Sequence, residues 1–418
     1  MDTKKLRQKV LDLAIHGKLV KQDPNDEPAS VLLDRIRAEK VRLVKEGKIK
    51  KSDLIEKPIS VDEIPFEVPE GWVWTRFGTI ANCILGKMLD KAKNDGFNKP
   101  YLRNINIRWG SVDFSDILSM PFTQDEEKKL TLVENDLLIC EGGEPGRCAV
   151  WKKDYPSILF QKALHRARFY LNINPYFVAS ILKLYSNTNK LSPYITGSTI
   201  KHLPGVGLSL VPIPLPPLAE QHRIVKAVEV LFEQIDIIER SEKELEEAAK
   251  KTWNKLLNLA IQGHLVPQDP NEEPASVLLE RIRAEKARLV KEGKLKKKDI
   301  EEKPISSDEI PFDIPEGWEW CRMNFVIYLT SGQDLVPSRY SVVENGIPYI
   351  TGASNFINGG LLINRYTTSP TSISHLGDLL ITCKGTVGKM AYNTIGDVHI
   401  ARQIMSISSQ YVYLPFIQ

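Results

Sequence analysis

Polar and basic side chains cluster in the segment YLRNINIRWG (101–110), where Arg103, Asn104, Asn106 and Arg108 stand beside Trp109. Arginine and asparagine are among the residue types that hydrogen-bond to the edges of nucleic-acid bases. Alternate residues of a β-strand share one face, so a strand here would present several of these side chains together. The segment is therefore a candidate for DNA contact. The alternative interpretation is a solvated strand at the edge of a sheet.

Three further loops have the composition of phosphate-contacting segments, since phosphates are held by Lys, Arg, hydroxyl groups and backbone N–H groups. TGSTIKHL (196–203) combines hydroxyls with a lysine, whereas GGEPGR (142–147) and KGTVGK (384–389) are glycine-rich and end in a base. The candidate residues are Thr196, Ser198, Thr199, Lys201, Arg147, Lys384 and Lys389. The alternatives are a helix N-cap at 198 or 199 and ordinary tight turns. Neither glycine-rich loop matches the GxxxxGK[ST] pattern of phosphate-binding loops.

Three more segments complete the set of candidate DNA contacts. QKALHRARF (161–169) contributes Arg166, and ARQIM (401–405) contributes Arg402. YITGASNFING (349–359), which matches 101–110 in position but differs in sequence, contributes Thr351, Ser354 and Asn355.

Residues for catalysis are not evident in the sequence. His165 has no nucleophile or carboxylate partner nearby. NPYF (174–177) is close to the [NDS]PP[YF] motif of adenine methyltransferases, but it lacks the second proline, and no glycine-rich cofactor loop follows a strand upstream. Helix initiation at Pro175 explains this motif more simply. The five cysteines form no CxxC pair and no zinc-ligand spacing. We predict no catalytic residue, no metal and no cofactor.

The composition is that of a soluble globular protein. The chain has 418 residues, of which 42% are hydrophobic and 26% are charged, and its formal net charge is +3. At roughly 100–200 residues per domain, this length predicts two to four domains. The mildly basic balance permits nucleic-acid binding without requiring it. Because the N-terminus has no apolar signal core and no run of 18 apolar residues occurs, we predict a cytoplasmic protein without a membrane role.

A long internal repeat dominates the organisation of the chain. Residues 11–77 recur at 257–323 without a gap, and about 50 of the 67 aligned positions are identical. The segments that follow the two copies differ strongly. The sequence therefore predicts one helical frame that carries a different globular segment each time.

The pattern of apolar residues predicts the elements of the frame. Helices are expected at 3–16, ending at Gly17, and at 29–46, ending at Gly47. A longer helix of about 45 residues begins near Leu218, and its apolar positions alternate in steps of 4 and 3, as in a coiled coil. This predicted seam includes Ile224, Val228, Leu231, Ile235, Ile238, Leu245 and Leu256. One apolar stripe needs a partner helix.

Between the helices the sequence pattern is that of α+β domains. Short β-type runs separated by Gly, Asn and Asp occupy the globular segments, with a helix predicted at 175–185. We predict a helical frame and linker at 1–68, a first globular domain at 69–217, the long helix with the second frame at 218–314, and a second globular domain at 315–418. Residues 377–391 align with 135–149 at an offset of 242, and the second domain is expected to be incomplete, because the sequence stops near the equivalent of the helix at 175–185.

Several motifs, in order and in duplicate, resemble one known family. They are PEGWVW (69–74) and PEGWEW (315–320), GDLLITCKGTVGK (377–389), GSTIKHLPGVGLSLVPIPLPPLAEQHRIV (197–225) and LAIQGHLVPQDPNEEPASVLLERI (259–282). Together they resemble the specificity subunit of type I restriction–modification systems. The resemblance covers essentially the whole chain, and the PIPLPPLAEQ entry into a long helix is its most specific part.

The resemblance implies a fold and a function. It implies two target-recognition domains, each reading one half of a split double-stranded DNA sequence, and long helices that set the gap between the halves. The expected partners are modification subunits, which are adenine methyltransferases, and restriction subunits, which are ATP-dependent translocases and nucleases. The chain itself would do no chemistry. The alternatives are a truncated inactive or half-type subunit that must pair with another chain, a self-contained DNA methyltransferase, and a coiled-coil scaffold without a DNA role.

Overall fold

A computed structural model describes residues 1–89, 95–296, 300–357 and 359–418. These residues form two compact units, 1–246 and 247–418, with the boundary inside the long helix. The predicted division into four segments, which separates frame from globular domain, remains a prediction.

The described residues of the first unit form six short or medium helices, eleven strands and most of a long helix. The helices are α1 (Thr3–Ile15), α2 (Ala29–Lys45), α3 (Phe77–Ile80), α4 (Gln124–Leu130), α5 (Pro175–Asn187), α6 (Gly205–Leu210) and α7 (Leu218–Ile261). The strands are β1 (Val73–Arg76), β2 (Ala81–Leu85), β3 (Phe97–Leu102), β4 (Ile107–Arg108), β5 (Ser111–Val112), β6 (Leu118–Phe122), β7 (Leu137–Cys140), β8 (Cys148–Val150), β9 (Leu159–Phe160), β10 (Leu164–Phe169) and β11 (Pro212–Leu215).

The second unit holds the end of α7 and a similar set of elements. Its helices are α8 (Ala275–Lys291), α9 (Met323–Val326) and α10 (Leu414–Ile417). Its strands are β12 (Tyr328–Ser331), β13 (Ile347–Ile350), β14 (Phe356–Ile357), β15 (Gly360–Leu361), β16 (Tyr366–Thr367), β17 (Ile373–Ser374), β18 (Leu379–Thr382), β19 (Met390–Tyr392), β20 (Val398–Ile400) and β21 (Ile404–Ser408).

A four-stranded sheet forms the centre of each globular domain. In the first unit the strand order is β2-β10-β7-β8, and the pairs are antiparallel. The run Leu137–Cys140 is apolar throughout and buried throughout, as expected for a strand covered on both faces. The second unit repeats this sheet as β12-β21-β18-β19. The two domains that begin with PEGW are therefore alike in topology, and the predicted α+β class with two similar domains is confirmed.

A second sheet packs in each unit. It has the order β6-β3-β9 in the first unit and β16-β13-β20-β17 in the second. Each of these sheets contains one parallel pair, β3 with β9 in the first unit and β13 with β20 in the second. In each pair the first strand leads into the candidate DNA-contacting segment, and the second strand comes later in the chain. Each parallel pair thus brings distant parts of the chain next to each other.

The frame helices end where their glycines predict. Gly17 has a φ of +64°, and a Cβ atom at this position would lie 2.4 Å from Cγ of Pro69. Glycine therefore ends α1 and also allows the PEGW loop to pack against the helix. Gly263 repeats both features against Pro315. The bounds of α1, α2 and α5 agree with the predicted helices to within two residues.

In each unit, one arginine at the start of the globular domain holds the preceding linker in place. Arg76 forms an ion pair with Glu63 at 2.7 Å and donates to the carbonyls of Pro58 and Leu210. The hydrogen bond from Arg76 lowers the pKa of Glu63 to about 2. Arg322 and Glu309 form the same pair in the second unit, where both side chains are more exposed.

Only part of the predicted helical seam is covered. Helix α1 lies beside the N-terminal half of α7, with Arg7 paired to Asp236 and the N-terminal amine to Glu242. Ile224, Val228 and Ile235 of the predicted seam are buried. Ile238 is half-buried, and Leu231, Leu245 and Leu256 are exposed. In the described ranges the seam is therefore buried over the part of α7 that α1 covers, and the predicted continuous seam remains a prediction.

The segment 101–110, considered above as a possible strand, is not one continuous strand. Strand β3 ends at Leu102, a 3₁₀ turn covers Asn104–Asn106, and a short strand follows at Ile107–Arg108. The turn forms because Asn106 accepts a hydrogen bond from the backbone N–H of Arg103, 2.8 Å away. The side chains of this segment therefore do not share one face.

Candidate nucleic-acid interface

Three segments of the first unit converge into what we call the loop cluster, defined as residues 103–109, 141–147 and 196–202. Asn104 donates from Nδ2 to the carbonyl of Gly142, and Arg147 donates back to the carbonyl of Asn104 at 2.9 Å. Gly142 forms a β-bridge with His202, and the N–H of Leu203 donates to the carbonyl of Glu141 at 2.7 Å. Segments far apart in sequence therefore form one surface.

Several predicted contact residues hold the loop cluster together. Arg103 pairs with Asp116 at 2.6 Å, and Arg147 pairs with Glu144 at 2.9 Å. Trp109 donates from Nε1 to the same Glu144 at 2.6 Å, and the ammonium of Lys183 lies 4.2 Å from the centre of the Trp109 ring. Arg103 and Arg147 are mostly buried, so they position the loops rather than project from them.

The outward-facing residues of the loop cluster lie at two places. Arg108 is exposed and makes only a 3.3 Å ion pair with Asp113. The loop at 196–202 is closed by two backbone hydrogen bonds between Thr196 and His202, each 2.8 Å long. Between them Thr196, Ser198, Thr199, Ile200 and Lys201 are all exposed. A base and several hydroxyls therefore stand together in solvent, which suits contact with a phosphate backbone.

A glycine shapes the tip of that loop. Gly197 has a φ of +90°, and a Cβ atom there would lie 2.1 Å from the carbonyl oxygen of Ile200. Only glycine fits such a turn without moving the backbone.

Two of the predicted contact residues lie in the interior instead. Asn106 is buried and donates both amide hydrogens to the carbonyls of Asp113 and Asp116. Arg166 is buried in β10 between β2 and β7, and it donates to the carbonyl of Lys129. Burial lowers the pKa of Arg166 to about 10. We correct the predicted role of both residues, because their side chains are buried inside the domain and do not reach its surface.

The second unit has a corresponding surface. The N–H of Cys383 donates to the carbonyl of Gln403 at 2.8 Å, which joins the segments 383–389 and 401–403. Ser354, Lys384 and Lys389 are exposed there, and Arg402 is exposed but paired with Asp334 at 2.7 Å. Thr351 donates to Asn355, which is itself buried and bonded to the carbonyl of Leu362. Asn355 thus repeats the structural role of Asn106 and is corrected in the same way.

Lys162 is an exposed base that the sequence reasoning missed. The N–H of Glu141 donates to the carbonyl of Ala163 at 2.9 Å, which places 162–163 beside the loop cluster. The bond from Cys383 to Gln403 is its counterpart, so Ala163 corresponds to Gln403 and Lys162 to Arg402. The offset between the two units is thus 240 at this position, against 242 for residues 135–149, and it is this shorter offset that relates Arg402 to Lys162.

The residues considered for other chemistry have structural roles. His165 is buried, its Nε2 bonds to the carbonyl of Leu203 at 2.8 Å, and burial lowers its pKa. Asn174 caps α5 by accepting from the N–H of Tyr176, and Pro175 begins that helix. Burial raises the pKa of Cys83 to about 12 and that of Cys140 to about 11, which disfavours reactive thiolates.

Two searches covered the described residues only. No group of three or more His, Cys, Asp or Glu side chains there is placed to hold a metal ion. None of the helices in the same ranges has the length and apolar character needed to cross a bilayer.

Comparisons with known proteins agree on one family. Residues 69–247 match the type I restriction modification DNA specificity domain. The type I restriction enzyme EcoAI specificity subunit of Escherichia coli is 36% identical over 380 residues, covering 79% of this chain. The EcoEI specificity subunit of the same species is 33% identical over 387 residues, covering 78% of this chain. The chain spans 63% and 62% of the lengths of these two relatives.

Solved structures show the same fold at lower identity. A chain from a study of complex assembly and conformational transition in a type I R-M system matches with a TM-score of 0.55 and 19% identity, over 82% of this chain and 77% of that one. The HsdS subunit from Thermoanaerobacter tengcongensis matches with a TM-score of 0.50 and 19% identity, over 84% of this chain and 78% of that one. Sequence motifs, domain match, relatives and fold agree, and the chain belongs to the family of type I restriction–modification specificity subunits.

Proposed function

We propose that this chain is a non-catalytic subunit that recognises double-stranded DNA. The observation that carries this proposal is the loop cluster, in which exposed Arg108, Lys201 and neighbouring hydroxyls stand on a surface held in place by the ion pairs of two mostly buried arginines. Bases and hydroxyls on rigid loops are what a protein needs to fix its register on a duplex and to reach base edges. The names of the relatives as specificity subunits support this role.

The two domains, we propose, read different halves of a bipartite site. Their four-stranded central sheets have the same topology, but the exposed residues of the two domains differ. Arg108, Ser198, Thr199 and Lys201 face outward in the first unit, and Ser354, Lys384 and Lys389 do so in the second. Different exposed side chains on a shared central sheet are expected of two readers with different targets. We propose that α7, about 66 Å long for its 44 residues, fixes the separation of the half-sites.

The proposed partners are modification subunits with adenine methyltransferase activity and restriction subunits with ATP-dependent translocase and nuclease activity. The charged outer faces of α2 and α8 are the proposed seats for the modification subunits. Arg35, Arg37 and Arg42 of α2 recur as Arg281, Arg283 and Arg288 of α8, with the same acidic partners. Such a duplicated surface suits two copies of one partner. We place the assembly in the cytoplasm.

A domain exchange tests the proposal in cells that contain the modification subunits. Replacing residues 75–210 by the corresponding segment of a relative with another target should change one half of the methylated motif and leave the other half and the spacing intact. A matched control replaces 29–46 by 275–292, which differ at two positions, and should leave the motif unchanged. A change in both halves, or in neither, contradicts the modular proposal. Methylome sequencing gives the result.

A further inference from the structure

The two globular domains share a short β-hairpin, formed by β4 and β5 in the first unit and by β14 and β15 in the second. The two hairpins have the same register, and their paired positions are Ile107 with Val112, Arg108 with Ser111, Phe356 with Leu361 and Ile357 with Gly360. A 3₁₀ turn precedes both hairpins, at Asn104–Asn106 and at Ala353–Asn355. Arg108 therefore corresponds to Ile357.

A buried asparagine supports each hairpin from below. Asn106 donates from Nδ2 to the carbonyl of Asp113 at 3.0 Å, and Asn355 donates from Nδ2 to the carbonyl of Leu362 at 2.7 Å. The backbone N–H groups of Asp113 and Leu362 each donate to the carbonyl of the same asparagine at 2.7 Å. The two hairpins are held in the same way, so Asp113 corresponds to Leu362.

The tips of both hairpins project from their domains. Gly110 has a φ of +80° and Gly359 has a φ of +77°. A Cβ atom added at either glycine would meet no atom of the described residues within 4 Å, apart from the two chain neighbours. Ile107 and Phe356 are buried, and because side chains alternate along a strand, the residue that follows each of them faces outward. A two-stranded β-ribbon of this kind fits the major groove of B-DNA.

The outward side chains of the two hairpins have different chemistry. Arg108 is 55% exposed and forms its 3.3 Å ion pair with Asp113. Asp113 also accepts a hydrogen bond from Oγ of Ser115 at 2.6 Å, which fixes the carboxylate that orients the guanidinium. At the same two places of the second hairpin, Ile357 and Leu362 are each 48% exposed. The difference changes what the hairpin can bind without changing how the hairpin is held.

We propose that this hairpin reads bases in the major groove and that its outward position sets one base of each half-site. Arginine donates two hydrogen bonds to O6 and N7 of guanine, whereas an apolar side chain contacts the 5-methyl group of thymine. Arg108 contacts a guanine in the half-site of the first domain, with Asp113 as its positioning residue. Ile357 contacts a thymine methyl group in the half-site of the second domain. This assignment rests on the proposed function in DNA recognition.

Two other binding partners fit the hairpins less well. A protein that binds both domains in the same way needs the same side chains on both, but the outward pair is charged on one hairpin and apolar on the other. A phosphate suits Arg108 but not Ile357, because phosphates are held by Lys, Arg, hydroxyl and N–H groups. The base edges of a duplex offer both acceptors for an arginine and methyl groups for an apolar side chain.

Single substitutions combined with single-atom changes in the DNA test the proposal. The full chain is used together with modification subunits, and methylome sequencing first gives the bipartite motif. The exchange of residues 75–210 shows which half the first domain reads. Duplexes are then made in which one guanine at a time is replaced by 7-deazaguanine, which lacks N7, or one thymine at a time by uracil, which lacks the methyl group. Fluorescence anisotropy measures the affinity for each duplex.

In the first half-site, 7-deazaguanine at one position should weaken binding of the parent chain by at least about threefold, as for half of a bidentate arginine contact. Arg108→Ala should weaken binding to the unmodified duplex and should lose no further affinity when that guanine is changed. Lys128→Ala, at an exposed position of α4, is the control and should keep the response of the parent. A loss for Arg108→Ala that adds to the loss at every guanine would place Arg108 on a phosphate and overturn its assignment.

In the second half-site, uracil at one position should weaken binding of the parent chain about threefold, as for loss of one buried methyl group. Ile357→Ala should be insensitive to uracil at that position. Val342→Ala, at an exposed position outside the hairpin, is the matched control and should respond as the parent does. A response of Ile357→Ala equal to that of the parent at every thymine would overturn the assignment of Ile357.

The parent chain separates failure of this inference from failure of the proposed function. If the parent directs methylation of a bipartite motif but both variants keep its response at every base, the hairpin assignment falls and the proposed function stands. If the parent directs no methylation and prefers no duplex sequence, the proposed function falls, and the hairpin assignment falls with it.

Discussion

At the residue scale, the exposed Lys201 is the base of the loop cluster best placed for a phosphate. It stands beside Ser198 and Thr199 on a loop closed by backbone hydrogen bonds. Lys201→Ala should weaken binding of duplex oligonucleotides uniformly across sequences and reduce the slope of log affinity against log salt by about one. Lys4→Ala, at an exposed position of α1, is the matched control and should change neither quantity. A sequence-dependent loss for Lys201→Ala would instead indicate a base contact.

The Arg76–Glu63 pair predicts a pH dependence of stability. Its hydrogen bonds lower the pKa of Glu63 from 4.5 to about 2, so the folded state favours the ionised carboxylate. The stabilisation is therefore present above pH 4.5 and is lost as the pH falls towards 2. Glu63→Gln should lower the free energy of unfolding at pH 7, and its difference from the parent protein should shrink below pH 4.5. Denaturant unfolding at a series of pH values measures this.

Two substitutions serve as controls for that prediction. Glu67→Gln removes an exposed carboxylate that forms no ion pair in the described part of the chain, and it should leave the pH profile unchanged. Glu309→Gln removes the corresponding carboxylate of the second unit, where Arg322 is more exposed, so its effect should be smaller. A profile for Glu63→Gln parallel to that of the parent would contradict the assigned pKa.

Residue types indicate which segments are candidates for DNA contact, but they do not show whether a given side chain in such a segment is exposed or buried. Arg108 and Arg166 both belong to polar, basic stretches of sequence, yet one is exposed and the other is buried. The difference arises because β10 is a central strand with neighbours on both sides, whereas β4 pairs only with β5. Sequence position does not reveal how many neighbours a strand has.

At the scale of elements, α7 shows how far a prediction from periodicity reaches. Its length and start agree with the sequence pattern, but its apolar seam is covered only where α1 lies beside it. Periodicity identifies a face that can be buried. It does not identify the residues at which a partner begins and ends.

Matched substitutions along α7 test this difference. Ile224 is 1% exposed and Leu245 is 71% exposed, although both occupy the same seam. Ile224→Ala should reduce the free energy of unfolding by about 2–5 kcal/mol, because it leaves a cavity in the core. Leu245→Ala should change it by less than about 0.5 kcal/mol. Similar losses at both positions, measured by denaturant unfolding, would mean that the seam is packed along its whole length.

At the scale of the whole molecule, a modest net charge of +3 combines with local basic surfaces. Binding of the isolated chain to duplex DNA should therefore be weak and strongly dependent on salt, because release of counterions from phosphates dominates non-specific affinity. Raising the salt concentration from about 50 to 200 mM should reduce the affinity about tenfold or more. Fluorescence anisotropy with a labelled duplex measures this. Affinity that is independent of salt would contradict a phosphate-contacting surface.

The sequence by itself determined the repeat, the frame helices, the family and the presence of two α+β domains. These features follow from local signals: glycines that end helices, the 3.6-residue period, and motifs whose order survives in duplicate. The tertiary structure alone decided which candidate side chains face solvent and that Lys162 corresponds to Arg402. Exposure and register depend on neighbours distant in the chain, and a pattern within one segment carries no record of them.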